Sequence, residues 1–450
     1  MGKLFGTDGV RGIANRELTP ELAFQLGRAG AYALTKEMRH VPKIIVGLDT
    51  RISGGMLEAA LTAGMCSMGA RVFHAGVIPT PGIAYLVRQY ALDAGVMISA
   101  SHNPMQDNGI KFFNRAGYKL KDELENEIEN LIESGLESLP SPTGAQVGVC
   151  ENRAEAVADY EAFLKSTVDG LDLSGMKVAV DCANGATYQT APKTLQDLGA
   201  DVFPLFNEPD GLNINLNCGS THMESLVDFV KKHHMDIGLA LDGDGDRLLC
   251  VDEKGAVLDG DQIISICAQQ LKNMGKLKKN AIAVTVMSNM GLLLLERKGF
   301  LVEKTDVGDR YVLENMLKNG YNLGGEQSGH IIFLDYNTTG DGMITALQLL
   351  RMMKEQNAPL SALNTVMEVM PQSLVNARVN SENKSHYMST PKIQKMIQSL
   401  EEKYADEGRV FIRPSGTEPV IRVMIEGRGA AEIEKDAREM AALLEECLNA

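Results

Sequence analysis

Short apolar runs alternate with longer amphipathic stretches along this chain, and the alternation repeats. Residues 43–49, 68–73 and 93–99 form a first set of apolar runs. The same order returns at 177–181, 198–203 and 236–242, and more faintly at 281–287, 298–302 and 321–326. A short apolar run bounded by glycine or polar residues reads as a buried strand, and the amphipathic stretch after it as a helix. Gly69, Gly199 and Gly299 each follow the first helix of a unit, where a C-cap belongs. The echo Gly-x-x-Val or Gly-Phe-x-Val then opens the next strand. Strand and helix in alternation predict α/β layers with mainly parallel pairing, here in three similar units.

The pattern changes near residue 371. Strands are expected at 373–379, 410–412 and 420–426, with helices at 390–404 and 430–447. That is a small α+β domain. An acidic helical stretch at 120–139 precedes Pro-Ser-Pro-Thr-Gly at 140–144, which reads as a linker. The expected domains are 1–150, 151–255, 256–370 and 371–450. The fold class expected is α/β: three similar domains with mixed, mainly parallel sheets, plus the C-terminal α+β domain.

The third strand of each unit runs into a polar loop. The first ends in Ser-Ala-Ser-His-Asn-Pro at 99–104, the second in Asp-Gly-Asp-Gly-Asp-Arg at 242–247, the third in Gly-Glu-Gln-Ser-Gly-His at 325–330. Ligands of α/β sheets gather at the carboxyl ends of strands, so three equivalent loops point to one shared site. Ser101 closes a buried strand just before Pro104 and is the candidate to carry a phosphoryl group; a plain polar turn is the competing reading.

Asp242, Asp244 and Asp246 stand at alternate positions, where a glycine-rich loop can aim three hard oxygen donors at one divalent cation, Mg2+ first. Without a cation they would repel and raise one another's pKa. An EF-hand calcium loop competes, with Glu253 at its twelfth position, but Arg247 stands where that loop requires glycine. Arg-Pro-Ser-Gly-Thr-Glu-Pro at 413–419 offers hydroxyls and approachable backbone N–H groups at Ser415, Gly416 and Thr417, with Arg413 and Arg422 beside them, as a phosphate dianion needs.

Glu326, Ser328 and His330 suit sugar hydroxyls, with a polar surface loop and a buried structural histidine as alternatives. The stretch 305–311, with Arg310, is similarly open. Arg11, in a glycine-dense opening loop, either reaches an anion or is solvated. Lys111 is a proton shuttle if desolvation lowers its pKa, and otherwise an exposed lysine.

Composition narrows the partners. At 450 residues the chain exceeds one ordinary core. A net charge of −15 argues against nucleic acid but not against a small anionic substrate in a local basic cleft. Seven scattered cysteines, none in a Cys-x-x-Cys pair, suit reduced thiols in the cytoplasm. No apolar run is long enough to span a membrane.

Together the loops at 99–104, 242–247, 325–330 and 413–419 resemble, in order and over essentially the whole chain, the α-D-phosphohexomutase superfamily. Phe-Gly-Thr-Asp-Gly-Val-Arg-Gly at 5–12, 182–188, 288–291 and 306–311 resemble its bacterial members that convert glucosamine phosphates. The resemblance implies four domains around a central cleft. It implies interconversion of glucosamine 6-phosphate and glucosamine 1-phosphate through a phosphorylated Ser101, with a hexosamine 1,6-bisphosphate intermediate and that compound or glucose 1,6-bisphosphate as activator. Ser101, Asp242, Asp244 and Asp246 would ligate Mg2+. Arg247, Lys111 and His102 would handle charge and protons. Arg11, Arg310, Glu326, Ser328 and His330 would face the sugar, and Arg413, Ser415, Gly416, Thr417 and Arg422 the phosphate not being transferred. The alternatives are a phosphoglucomutase or phosphomannomutase of that superfamily, or a non-enzymatic sugar-phosphate or calcium-binding protein. A homodimer is left open.

Overall fold

The computed structural model describes residues 4–6, 8–405, 408–415 and 419–449. The chain divides into two compact units, Met1–Val286 with Glu303–Thr365, and Met287–Val302 with Val366–Ala450.

In the first unit the predicted triplication is visible as a shared strand order. Lys43–Leu48 lies between Arg71–Val77 and Ala94–Ile98, both parallel to it, and Asp107–Asn114 returns antiparallel beside Ala94–Ile98. Lys177–Asp181 lies in the same way between Asp201–Leu205 and Ile237–Leu241, and Leu248–Asp252 returns antiparallel. The third sheet repeats the order, with Ala281–Thr285 between Leu301–Thr305 and Leu323–Gly325, and Ile331–Phe333 antiparallel at the end.

The sheet positions explain the apolar runs. Ala94–Ile98, Ile237–Leu241 and Ala281–Thr285 are buried at every position, so both faces take apolar side chains up to the terminal Thr285. Asp201–Leu205 is an edge strand and largely exposed, the position in a sheet where Pro204 is tolerated. The first sheet is extended by the hairpin Phe5–Gly6 and Gly9–Ile13, which pairs with Asp107–Asn114. The opening glycine-dense loop is thereby brought to the end of the sheet that carries Ser101.

The second unit is the α+β domain expected near the C-terminus. Val420–Glu426 runs between Gln372–Arg378 and Arg409–Pro414, antiparallel to both. Pro391–Lys403 and Ala430–Leu448 pack their apolar stripes, Ile393, Leu400, Ile433, Met440 and Leu444 among them, against Ile421, Val423 and Ile425. Met287–Val302 joins this unit. Asn289 donates to Met370 O at 3.0 Å and to the buried Glu426 at 3.2 Å, and Arg409 donates to Ser288 O at 2.7 Å and pairs with Glu426.

Candidate active site

Ala94–Ile98 ends in Ser99 and Ser101, and Ser101 takes a left-handed backbone conformation, φ 52°. A side chain other than glycine held there costs free energy and is found where surrounding structure imposes it. Ser101 is 1% exposed, and its Oγ donates to Asp242 Oδ2 at 2.6 Å. His102 Nδ1 lies 3.3 Å from the same Oγ. Burial, with Arg247 and Arg11 nearby, lowers the His102 imidazole to about 4.

Asp242 comes from the equivalent strand end of the second repeat. It forms a cluster with Asp244 and Asp246 in which one oxygen of each lies within 4.8 Å of the others, all three residues being buried. Two glycines permit the tight loop. A Cβ on Gly243 would stand 2.5 Å from Ser101 O, and Gly245 has φ 73°. Burial and the charges of Asp246 and Asp244 push the Asp242 carboxyl well above the usual carboxylate range. Burial and Asp244 raise Asp246 too. Burial also works against Asp244, but Lys111 and Thr80 outweigh it and its pKa is lowered. Among the described residues, Asp244 Oδ1 and Asp246 Oδ1 are buried without a hydrogen-bond partner. Three close carboxylates, two of them with an oxygen left unmatched, fit a hard divalent cation.

Lys111 is neither of the two lysines the sequence suggested. It lies inside the strand Asp107–Asn114, 1% exposed, with Nζ 2.7 Å from Asp244 and 2.8 Å from Asp8. Burial does pull its pKa down, as expected, but Asp244, Asp8 and Asp246 more than offset this and the net shift is upward. That is the reverse of the lowered pKa on which the shuttle expectation depended, and the burial overturns the alternative of an exposed lysine.

A cavity of about 490 Å³ opens beside the cluster, lined among others by Arg11, His102, Asp246, Arg247, Glu326 and His330. Glu326 accepts from Gly308 N at 3.2 Å, and burial raises its carboxyl against the pull of His330. His330 Nε2 lies 3.5 Å from Asp309 and 3.8 Å from Asp246.

In the second unit Arg413 and Arg422 are directly opposite across an antiparallel pair. Like charges so placed repel, and an anion between them relieves the repulsion. Ser415 follows on the same strand's end, its N–H donating to Val420 O at 2.9 Å and its carbonyl accepting Lys384 Nζ at 2.7 Å. Gly416 and Thr417 lie outside the described residues.

The sequence matches the models of all four domains of the phosphoglucomutase/phosphomannomutase family. The α/β/α domains I, II and III match residues 2–138, 158–255 and 259–370, and the C-terminal domain matches 374–443. The chain belongs to this family. It is 59% identical, over 446 residues and 99% of either chain, to a phosphoglucosamine mutase of Ruminiclostridium cellulolyticum. Its fold is that of a phosphoglucomutase/phosphomannomutase family protein of Burkholderia thailandensis, with TM-score 0.79, 23% identity, and 98% and 97% of the two chains covered. Aspergillus fumigatus N-acetylphosphoglucosamine mutase, solved with GlcNAc-6P and magnesium, superposes with TM-score 0.60 at 19% identity over 96% of this chain and 100% of that one.

Within this phosphohexomutase fold the structure brings Ser101, His102, Lys111, Asp242, Asp244, Asp246 and Arg247 together and sets Arg11, Glu326 and His330 around the adjoining cavity. Two expected residues sit elsewhere. Ser328 is exposed and outside the cavity lining. Arg310 pairs with Asp122 and donates to Leu120 O at 2.5 Å, away from that lining. Four unanticipated residues, Asp8, Thr80, Lys119 and Asp309, join the site. Asp8 bonds Lys111, Lys119 and Arg11; Lys119 also reaches Asp309 at 2.6 Å; Thr80 Oγ1 donates to Asp244 at 2.6 Å. Asp8 and Asp309 stand in stretches already singled out for Arg11 and Arg310. Lys119 and Thr80 carry no local signal. Among the described residues no helix is long and apolar enough to cross a membrane.

Proposed function

We propose that the protein interconverts glucosamine 6-phosphate and glucosamine 1-phosphate, with Ser101 as the residue that carries the phosphoryl group. The observation that supports this most is the Ser101 hydroxyl, buried and bonded to Asp242 within an acidic cluster beside a cavity lined by Arg11, Arg247 and Glu326. The sugar assignment rests on the 59% identity to a phosphoglucosamine mutase.

In this reading phosphorylated Ser101, Asp242, Asp244 and Asp246 hold Mg2+, the ion solved with the Aspergillus relative. Bound there, the cation neutralises phosphate charge that would otherwise repel an incoming oxygen. The P–O bond to Ser101 Oγ breaks as a substrate hydroxyl oxygen bonds the phosphorus. The hydroxyl loses its proton, and Ser101 Oγ regains one. His102, neutral at physiological pH and 3.3 Å from Oγ, is the group suited to pass that proton. Lys111 keeps its charge and holds Asp244 in place. Arg247 and Arg11 balance the phosphate. Glu326 takes sugar hydroxyls, with His330 beside it in the cavity lining, while Ser328 and Arg310, outside that lining, do not reach the sugar in this arrangement. Arg413, Ser415, Gly416, Thr417 and Arg422 take a phosphate dianion. The second transfer returns the other phosphate of a hexosamine 1,6-bisphosphate to Ser101, and added hexose 1,6-bisphosphate primes an unphosphorylated chain. The chemistry asks for positioning and charge neutralisation only, which these side chains supply.

The test is kcat/KM for glucosamine, glucose and mannose 1-phosphates in a coupled assay with Mg2+ and catalytic glucose 1,6-bisphosphate. The expected order puts glucosamine 1-phosphate first. A preference for mannose 1-phosphate overturns the sugar assignment, and no isomerisation of any of the three overturns the reaction.

A further inference from the structure

One buried ion pair holds the backbone of Ser101, its carbonyl directly and its N–H through Ser99. Asp49 and Arg51 follow the central strand Lys43–Leu48 of the first sheet, and their side chains are wholly buried, Arg51 Nε being 2.8 Å from Asp49 Oδ2. On the acidic side, Ser99 Oγ donates to Asp49 Oδ2 at 2.6 Å and accepts from Ser101 N at 3.0 Å. On the basic side, Arg51 Nη2 donates to Ser101 O and to Asn103 O, each at 2.9 Å. Its Nη1 reaches Pro104 O at 2.5 Å and Asp107 O at 3.0 Å. One guanidinium therefore binds four carbonyls of the turn that presents Ser101.

A second side chain closes over the same two carbonyls from the next repeat. Asn215 Nδ2 donates to Ser101 O at 2.8 Å and to Asn103 O at 3.0 Å. Each carbonyl thus accepts one bond from Arg51 and one from Asn215, which occupies both lone pairs. Asn215 is itself fixed, its N–H donating to Ala183 O at 2.9 Å, and Gly243 of the acidic loop passes directly beside it. The clamp ties the serine turn to the second repeat, which carries the acidic cluster.

The backbone of Ser101 is held at φ 52°, which an L-residue does not favour, so something must keep it there. We infer that Arg51, with Asn215, is the positioning device that fixes the Ser101 oxygen for phosphoryl transfer. This rests on the reading of Ser101 as the phosphoryl carrier. Neither side chain lines the cavity, so neither contributes to substrate affinity. Both act through the direction in which Ser101 Oγ points. A lysine retains the charge at position 51 but has one nitrogen, which cannot reach four carbonyls in a planar fork.

The experiment measures kcat and KM for glucosamine 1-phosphate in Arg51→Lys and Asn215→Ala, with the phosphoryl content of the Ser101 peptide determined by mass spectrometry in every sample. Tyr160→Phe, which removes a buried hydrogen bond to Asp341 outside the cavity lining, is the control for lost stability alone. Misplacing a reacting oxygen by about an ångström costs on the order of 10²-fold in rate. The expected result is a kcat loss approaching that in Arg51→Lys and about tenfold in Asn215→Ala, with KM within about threefold of the parent, while Tyr160→Phe keeps the parental kcat. Phosphorylated Ser101 with unchanged kcat in both variants overturns the inference and leaves the carrier reading intact. A kcat loss no larger than that of an equally destabilised Tyr160→Phe also overturns it. A fully active parent with no phosphate on Ser101 overturns the carrier reading instead.

Discussion

Ser101 Oγ and Asp242 Oδ2 lie 2.6 Å apart although 141 positions separate them in the chain. Each stands at the carboxyl end of the third strand of its own repeat. Two copies of one topology, set so that equivalent strand ends face each other, place a hydroxyl from one against a carboxylate cluster from the other. The site is a consequence of repetition: the sheet that buries Val96 also delivers Ser101, and the sheet that buries Leu239 also delivers Asp242.

Thr80 begins the helix Thr80–Gln89, and its hydroxyl donates to Asp244 at 2.6 Å while its N–H donates to Asp244 O at 2.9 Å. Groups that orient a metal ligand typically control 10–100-fold in affinity. Thr80→Val should keep the fold, since the shape is conserved, and weaken divalent-cation binding by about tenfold. Titration calorimetry with Mg2+ or Mn2+ checks this; an unchanged dissociation constant contradicts it.

Lys111 is buried between Asp244 and Asp8. Removing one partner of a buried ion pair leaves the other charge uncompensated and costs about 3–5 kcal/mol. Lys111→Met should lower the thermal unfolding midpoint of the metal-free protein markedly, because among the described residues Asp244 then keeps only the Thr80 hydroxyl as a side-chain donor. A midpoint equal to that of the parent contradicts the pairing.

Asp341 caps the helix Gly342–Gln356, and burial pushes its carboxyl up to about 6 against hydrogen bonds from Ile344 N, Asn337 and Tyr160. In the unfolded chain it titrates near 3.9. Between those values the folded protein holds a proton that the unfolded chain has released. The contribution of this residue therefore favours folding at about pH 4 and is lost as pH rises through about 6, by ~3 kcal/mol. Asp341→Asn lacks that loss and keeps an oxygen for the cap. Relative to the parent, the variant should gain in melting midpoint between about pH 4.5 and pH 7. A difference that does not vary with pH contradicts the assignment.

Strands buried on both faces are continuous apolar runs, which made Ala94–Ile98 and Ile237–Leu241, and the polar loops that follow them, legible in the sequence. The antiparallel strand Asp107–Asn114 was not, because Asp107, Asn108 and Lys111 interrupt its apolar pattern. Asn108 and Lys111 are buried there, and Lys111 is buried against Asp244 of the site, so function masks the strand. Met287–Val302 reads as part of the third repeat, yet Asn289 bonds Met370 and Glu426 in the C-terminal unit. Contacts at such separations leave no local mark. The same holds for Thr80, Lys119 and Arg51, whose partners lie 164, 190 and 50 residues away. The three aspartates were legible because one short loop holds them all.

The most direct test of the account is a single-turnover transfer experiment. Protein carrying a radiolabelled phosphoryl group on Ser101 is mixed with unlabelled glucosamine 6-phosphate and Mg2+, and the Ser101 peptide and the sugar phosphates are separated after one turnover. The label is predicted to leave Ser101 and enter the hexosamine phosphates while an unlabelled phosphoryl group takes its place. Label that stays on Ser101 through many turnovers would contradict the account.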